Sequence, residues 1–216
     1  MIDSTPSRRF VQKSATVSAP SFRAIDATTG ALVPGFASSV GGTGVYAIAT
    51  AGTSVYVGGL FTQANATARK NLAAFDTASG ALLPWAPTTD RQVDAMVMEP
   101  GNAKVIIGGR FYLTNEQVQR GLAALDPTTG AIDTAWLAPK TVINGWSSGD
   151  YDGKAGIFGL NTDTGGVYGT GWVYANASIG NLEGVFAANA GDGSIRWIAD
   201  CHGDHYGVFS TGKTVY

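Results

Sequence analysis

The chain has 216 residues, 30 of them Gly, and only 14% are charged, against about 25% charged and about 7% Gly in ordinary soluble domains. Hydrophobic residues make up 44%, enough for a packed core, which excludes wholesale disorder. A formal net charge of −2 offers no basic field for a phosphate backbone, so no nucleic-acid partner is expected, and no apolar run approaches the roughly 20 residues that span a bilayer.

The charged residues themselves point away from helices. There are 13 Asp against 3 Glu, and 6 Lys against 8 Arg. Asp and Gly favour turns, whereas Glu and Lys favour helix. The expectation is an all-β protein. Residues 1–20 read as a polar, irregular segment: Arg8 and Arg9 are followed by no apolar stretch, so no complete signal peptide is present. High Gly, Thr, Asn and Asp with little Lys or Glu nevertheless points to an extracellular or cell-surface protein whose leader lies outside this sequence.

From residue 22 onward the chain repeats. Asp26-Ala-Thr-Thr-Gly30 recurs as Asp76-Thr-Ala-Ser-Gly80 and Asp126-Pro-Thr-Thr-Gly130, 50 residues apart each time. Val55-Tyr-Val-Gly-Gly-Leu-Phe61 and Val105-Ile-Ile-Gly-Gly-Arg-Phe111 keep the same period of 50. Between the two motifs stand Arg69 or Arg120 and then Leu-Ala-Ala at 72–74 and 122–124. In the third full unit Gly156-Ile-Phe-Gly-Leu160 aligns with Gly44-Val-Tyr-Ala-Ile48, and Val167-Tyr-Gly-Thr-Gly171 with Val55–Gly59. Phe186-Ala-Ala-Asn-Ala-Gly-Asp-Gly193 then stands where the Asp-x-x-x-Gly turn belongs, and His205-Tyr-Gly-Val-Phe209 begins the unit anew.

Each unit is expected to hold four short strands. In the best-defined unit these are Val45–Ala49, Ser54–Gly58, Leu72–Asp76 and Ala81–Pro84, each apolar or β-branched and bounded by turn residues. A small residue in strand one (Ala47, Ala95, Gly159, Gly207) suits a crowded axis, and Trp85, Trp136 and Trp197 follow strand four, placed to pack between units. Four strands per repeat with periodic Gly and aromatics is the pattern of a β-propeller built from four-stranded antiparallel blades. The units are 45–87, 93–138, 155–198, and a split one made of 21–36 plus 205–216. The halves of the split unit can pair in a closed four-bladed ring, with Ser21–Asp26 beside Thr214–Tyr216, or the chain can be a fragment of a larger propeller. Terminal repeats need such cover, because each apolar face must be buried by a neighbour.

These motifs resemble the delta-60 repeats of secreted and surface bacterial propellers, whose pattern is Gly-Gly-x-Phe, a polar loop, Arg-x-x-Leu-Ala and Asp-x-x-x-Gly. The match falls on Gly58, Gly59, Phe61, Arg69, Leu72, Ala73, Asp76 and Gly80, and on Gly108, Gly109, Phe111, Arg120, Leu122, Ala123, Asp126 and Gly130. The Asp-x-x-x-Gly and Trp pattern is also similar to quinoprotein-type propeller repeats, although no vicinal cysteine pair is present. The resemblance implies a non-enzymatic recognition or scaffold propeller that binds protein or carbohydrate, as part of a larger multidomain protein, with no assigned catalytic residue.

The densest polar cluster is Asp200-Cys-His-Gly-Asp-His205, which holds both His and the single Cys. Asp200, His202, Asp204 and His205 are candidate ligand-binding residues, and His202, Asp204 and His205 candidate metal ligands, since His and carboxylate suit Zn, Mn or Fe. The alternative function is therefore a metal-dependent enzyme or enzyme fragment centred there; the bland reading is a Gly203-Asp204 turn. Cys201 has no partner within the chain for a disulfide. Ser147–Gly153 echoes the start of a calcium loop at Asp150 and Asp152 but lacks its closing Glu, and also reads as a plain turn. No cofactor follows from these patterns: none, Ca or a transition metal all remain open. Asn65-Ala-Thr67 and Asn176-Ala-Ser178 fit the N-glycosylation pattern.

Overall fold

The structure, a computed structural model, describes residues 22–174, 178–200 and 203–216. The N-terminal segment 1–20, Ser21, Asn176, Cys201 and His202 lie outside the described residues. The fold is all-β. Among the described residues the only helical turns are two of 3-10 type, Ala138–Lys140 and Gly149–Tyr151.

In chain order the strands are β1 (Val40–Ala51), β2 (Ser54–Ala64), β3 (Thr67–Ala68), β4 (Leu72–Asp76), β5 (Val93–Met98), β6 (Val105–Gly109), β7 (Leu113–Thr114), β8 (Gln117–Val118), β9 (Leu122–Leu125), β10 (Ala155–Asp163), β11 (Gly166–Val173), β12 (Gly184–Asn189) and β13 (Ile195–Asp200). They form four antiparallel sheets, none of them closed. In the first, β2 pairs with β1, β3 and β4; the second runs β5-β6-β9; the third runs β10-β11-β12-β13; β7 and β8 form a separate hairpin.

The repeated motifs each have a mechanical task. In the Asp-x-x-x-Gly turn, Asp76 Oδ1 accepts from the Ser79 backbone N–H at 2.8 Å and from the Ala78 N–H at 3.2 Å. Gly80 closes the turn at φ +70, a left-handed conformation that an L side chain resists. Asp26 and Asp126 do the same with Thr29 and Thr129. In the last turn the Gly193 N–H reaches Asn189 O at 3.0 Å, so Asn189 stands where the other units have Asp. The Gly-Gly pair needs space rather than dihedral freedom. A Cβ on Gly58 would lie 2.6 Å from Val93 of the next sheet, and one on Gly108 2.8 Å from Ile157. A Cβ on Gly59 or Gly109 would meet a carbonyl in or just before its own first strand, Gly44 O at 2.1 Å or Gln92 O at 2.3 Å. The first glycine thus lets sheets approach, and the second accommodates a bulge.

The expected fourth strand is shorter than the sequence implies. It is a single bridge in three units, Ile25↔Leu32, Phe75↔Leu82 and Leu125↔Ile132, and a full strand only as β13. The chain leaves the sheet after the bridge because it must reach the next unit's turn; in the unit 45–87 Pro84 and Pro87 also withhold ladder donors. A hairpin fills the polar loop instead. Asn65-Ala66 and Asn115-Glu116 all have positive φ, as a two-residue I′ turn requires. Asn65 Nδ2 donates to Gly80 O at 3.0 Å and its Oδ1 accepts from Ser39 N at 2.8 Å; Asn115 repeats this with Gly130 and Thr88.

The sheets stack face to face, with β1 against β5 and β5 against β10. Central strands are buried on both faces. Leu72 and Ala74 join Tyr56, Trp85, Val93, Met96 and Ile107 in one core, while Ala73 and Phe75 join Val57 and Phe61 in another, packed by Phe22. Ile106, Leu122, Trp136, Ile157, Val167 and Phe186 fill the core between the second and third sheets. Each such side chain contributes about 1.5–3 kcal/mol on burial, so the stacking of sheets carries most of the stability. The expected clasp between the chain ends is not made by the described residues. Ile25 bridges Leu32 and Ser210 bridges Val215, so each end pairs with its own neighbouring segment and not with the other end.

Candidate functional site

The first strands of the three larger sheets share one register slip: between Val45 and Ala47, between Val93 and Ala95, and between Ile157 and Gly159; β1 slips twice more, at Gly41/Gly42 and Gly42/Gly44. A bulge leaves one residue unpaired and re-aims its side chain. The extra residues are Tyr46, Asp94 and Phe158, and the sequence repeat puts Tyr206 next in the series. The residues that follow Gly59, Gly109 and Gly171, namely Leu60, Arg110 and Trp172, flank them at the same end of the sheets. The repeat therefore holds the architecture constant while varying these positions.

Several of them meet. Arg110 Nε donates to Asp94 Oδ2 at 3.2 Å, and Gln92 Nε2 donates to Asp94 Oδ1. The Arg110 guanidinium lies 5.3 Å from the Phe158 ring centre and 5.4 Å from that of Trp172. Phe158 and Trp172 stack at 5.1 Å with 9° between planes, and Tyr206 packs on Phe158 at 5.0 Å. Burial pushes the Asp94 carboxyl up from its ordinary value, against the opposing pull of Gln92 and Arg110. The result is a charge pair set on an aromatic platform, with Tyr206 68% exposed at its rim.

Of the Asp200–His205 cluster, Asp204 reaches this rim. Asp200 ends β13 and is exposed; Asp204 is exposed and accepts from the Tyr206 hydroxyl at 3.2 Å. His205 is half-buried, its Nδ1 2.6 Å from Gly203 O. His202 and Cys201 lie outside the described residues. Among the described residues no three His, Cys, Asp or Glu side chains are grouped to hold a metal ion. In Ser147–Gly153, both Asp152 oxygens accept from Arg91, from Nε and Nη2 at 2.8 Å each. Hydrogen bonding to that guanidinium holds the Asp152 carboxyl below its usual range. The segment thus ties the start of the second unit to the connection before the third.

Arg69 and Arg120 both donate to backbone carbonyls, Arg69 to Leu83 O at 3.2 Å and Arg120 to Ser178 O at 2.7 Å. They are not equivalent positions, contrary to the sequence alignment. Asn71 N bonds Phe61 O as Gly121 N bonds Phe111 O, which sets Arg120 opposite Lys70 and Gln119 opposite Arg69. The Asn65 amide of the first glycosylation pattern is occupied by Gly80 O. Sequence reading missed Gln92, Asp94, Arg110 and Trp172, since they fall where the repeat does not match. That mismatch at fixed register was the available signal.

No protein-family model matches the chain, and no curated protein matches it. Among solved structures it is similar to the computationally designed Ika8 protein, with a TM-score of 0.51 and 14% identity, covering 89% of this chain and 48% of that one. The chain therefore spans about half the length of Ika8. The computationally designed Ika4 protein aligns with a TM-score of 0.49 and 13% identity over 80% of this chain and 83% of that one.

Proposed function

We propose that this chain is an arc of β-propeller blades of the delta-60 type that acts as a non-enzymatic recognition or scaffold module, extracellular or on the cell surface, and binds a protein or glycan ligand at the bulge-bearing end of its sheets. The observation that carries the reading is the cluster of Asp94, Arg110, Phe158 and Trp172. Structurally equivalent bulge and flanking positions meet in one patch that joins charge to aromatic surface. Such a patch binds by stacking and hydrogen bonding. The repeated spacing of 50 residues and the stacked sheets support the blade reading. No helix among the described residues is long and apolar enough to cross a membrane.

The test is a glycan array together with a pull-down from culture medium, using the whole chain. Capture of a ligand that Arg110→Met abolishes supports recognition at this patch. Catalytic turnover of a captured ligand by the purified chain overturns the non-enzymatic reading.

A further inference from the structure

We infer that the patch around Arg110 is a subsite for a neutral pyranose ring of a saccharide, an inference that rests on the recognition reading above. Among the described residues the Arg110 side chain donates only from Nε, to Asp94, while its guanidinium carbon lies 5.3 Å from the Phe158 ring centre and 5.4 Å from that of Trp172. That arrangement holds the guanidinium beside the rings and leaves Nη1 and Nη2, four N–H donors, for hydroxyl oxygens of a ligand. The side chain is 35% exposed and that of Asp94 only 10%, so Arg110 makes the contact and Asp94 is a positioning residue, locked in turn by Gln92.

Charge selects the ligand class. Arg110 is already neutralised by Asp94, and Asp204 adds a negative charge beside Tyr206 at the rim. A carboxylate or phosphate ligand would meet that charge with no unpaired Lys or Arg in contact with the patch among the described residues, whereas a hydroxyl acceptor carries no such cost. Shape selects further. Tyr206 packs on Phe158 with planes 32° apart and keeps most of its surface open. One face of a pyranose, lined with C–H groups, fits such a ring while its equatorial hydroxyls turn outward to Arg110. Donors at one edge and an open aromatic face beside them match a sugar better than a peptide, whose side chains would need an apolar pocket.

The experiment probes the intact chain with arrayed neutral gluco- and galacto-oligosaccharides and with uronate oligosaccharides, followed by calorimetric titration. Arg110→Met keeps the apolar stem and removes the donors; Tyr206→Ala acts at an exposed position where folding is not at stake. The expected result is binding of a neutral oligosaccharide, insensitive to salt because no charge is paired, weakened at least about tenfold in each variant. Binding that both variants retain overturns the subsite and leaves the recognition reading intact. Preference for uronates that fades with salt overturns the neutral class. Capture of a protein with no saccharide bound overturns the glycan assignment alone, whereas turnover removes the recognition reading itself.

Discussion

The joint between the first and second sheets and the joint between the second and third solve one problem by different chemistry. In each, the segment leaving one unit covers the turn glycine of the next: Pro87 lies over Gly130, and Trp136 over Gly193. At the later joint the Leu137 N–H donates to Asp192 O at 2.8 Å, as the Ala37 N–H donates to Ser79 O at 2.9 Å ahead of the first sheet. Pro87 stands at the matching position and has no N–H to give. There two side chains take over: Tyr56 Oη donates to Pro127 O at 2.8 Å and Trp85 Nε1 to Asp126 O at 3.0 Å. Trp136 Nε1, by contrast, is buried without a partner. The repeat fixes where units dock, while the docking bond itself can pass from backbone to side chain.

The largest effect is expected at the later joint. Trp136 is 1% exposed and its ring spans the core between the second and third sheets. Trp136→Ala should cost about 3–5 kcal/mol, seen as a lower denaturant midpoint. Trp136→Phe removes no hydrogen bond and should cost much less, whereas Trp85→Phe loses a real one.

Next comes Asn144, fully buried in the connection before the third sheet. Its Oδ1 accepts from Asn181 N at 2.8 Å and Leu182 N at 3.0 Å, and its Nδ2 donates to Leu182 O at 2.7 Å. Asn144→Leu leaves these groups orphaned at about 1–3 kcal/mol for each that stays unsatisfied. Urea melts should show the loss. A change in the slope m would mean that the third sheet unfolds separately, so that the two joints are not one cooperative unit.

Much of this architecture was legible in the residues. The period of 50, the Asp-x-x-x-Gly turns and the paired glycines were all readable, because each answers a local demand for positive φ or close approach. The hairpin at Asn65 and Asn115 repeats at the same spacing, but two Asn among dissimilar neighbours look like ordinary loop residues until their amides are seen to hold Gly80 and Gly130. The shortened fourth strand was hidden because Ala81–Pro84 is apolar enough for a strand, and only the docking of Trp85 shows why the chain leaves early. The patch at Arg110 was hidden for another reason. Its members lie far apart in sequence, from Gln92 to Tyr206, and only sheet stacking unites them.

A double-mutant cycle sharpens the comparison at the earlier joint. Trp85→Phe removes the bond to Asp126 O and should cost about 1 kcal/mol beyond packing. Pro87→Ala restores an N–H where Ala37 and Leu137 use theirs, at a chain-entropy cost of about 0.4–1 kcal/mol. If the backbone bond forms, the double variant should lose less than the two single variants together. Strict additivity in thermal melts would show that side-chain and backbone docking are not interchangeable.

The smallest effect is the acid limb of the stability curve, to which the units contribute with opposite signs. Hydrogen bonds from Thr29, from Ser79 and from Thr129 hold Asp26, Asp76 and Asp126 below the ordinary carboxylate value. A carboxyl lowered on folding contributes stability that is present above its unfolded value and is lost as pH falls through the folded one. These turns should weaken together below about pH 4. Asp94 runs the other way. Burial raises its folded value, so the folded chain binds that proton more tightly than the unfolded one. Its ionisation therefore subtracts stability as pH rises from the unfolded value through the raised folded value. Asp94→Asn should remove that falling limb and leave the turn-controlled loss at lower pH, a difference readable in melting temperature against pH. An unchanged profile in Asp94→Asn would show that the Arg110 pair offsets burial, and that Asp94 is ionised at no net cost.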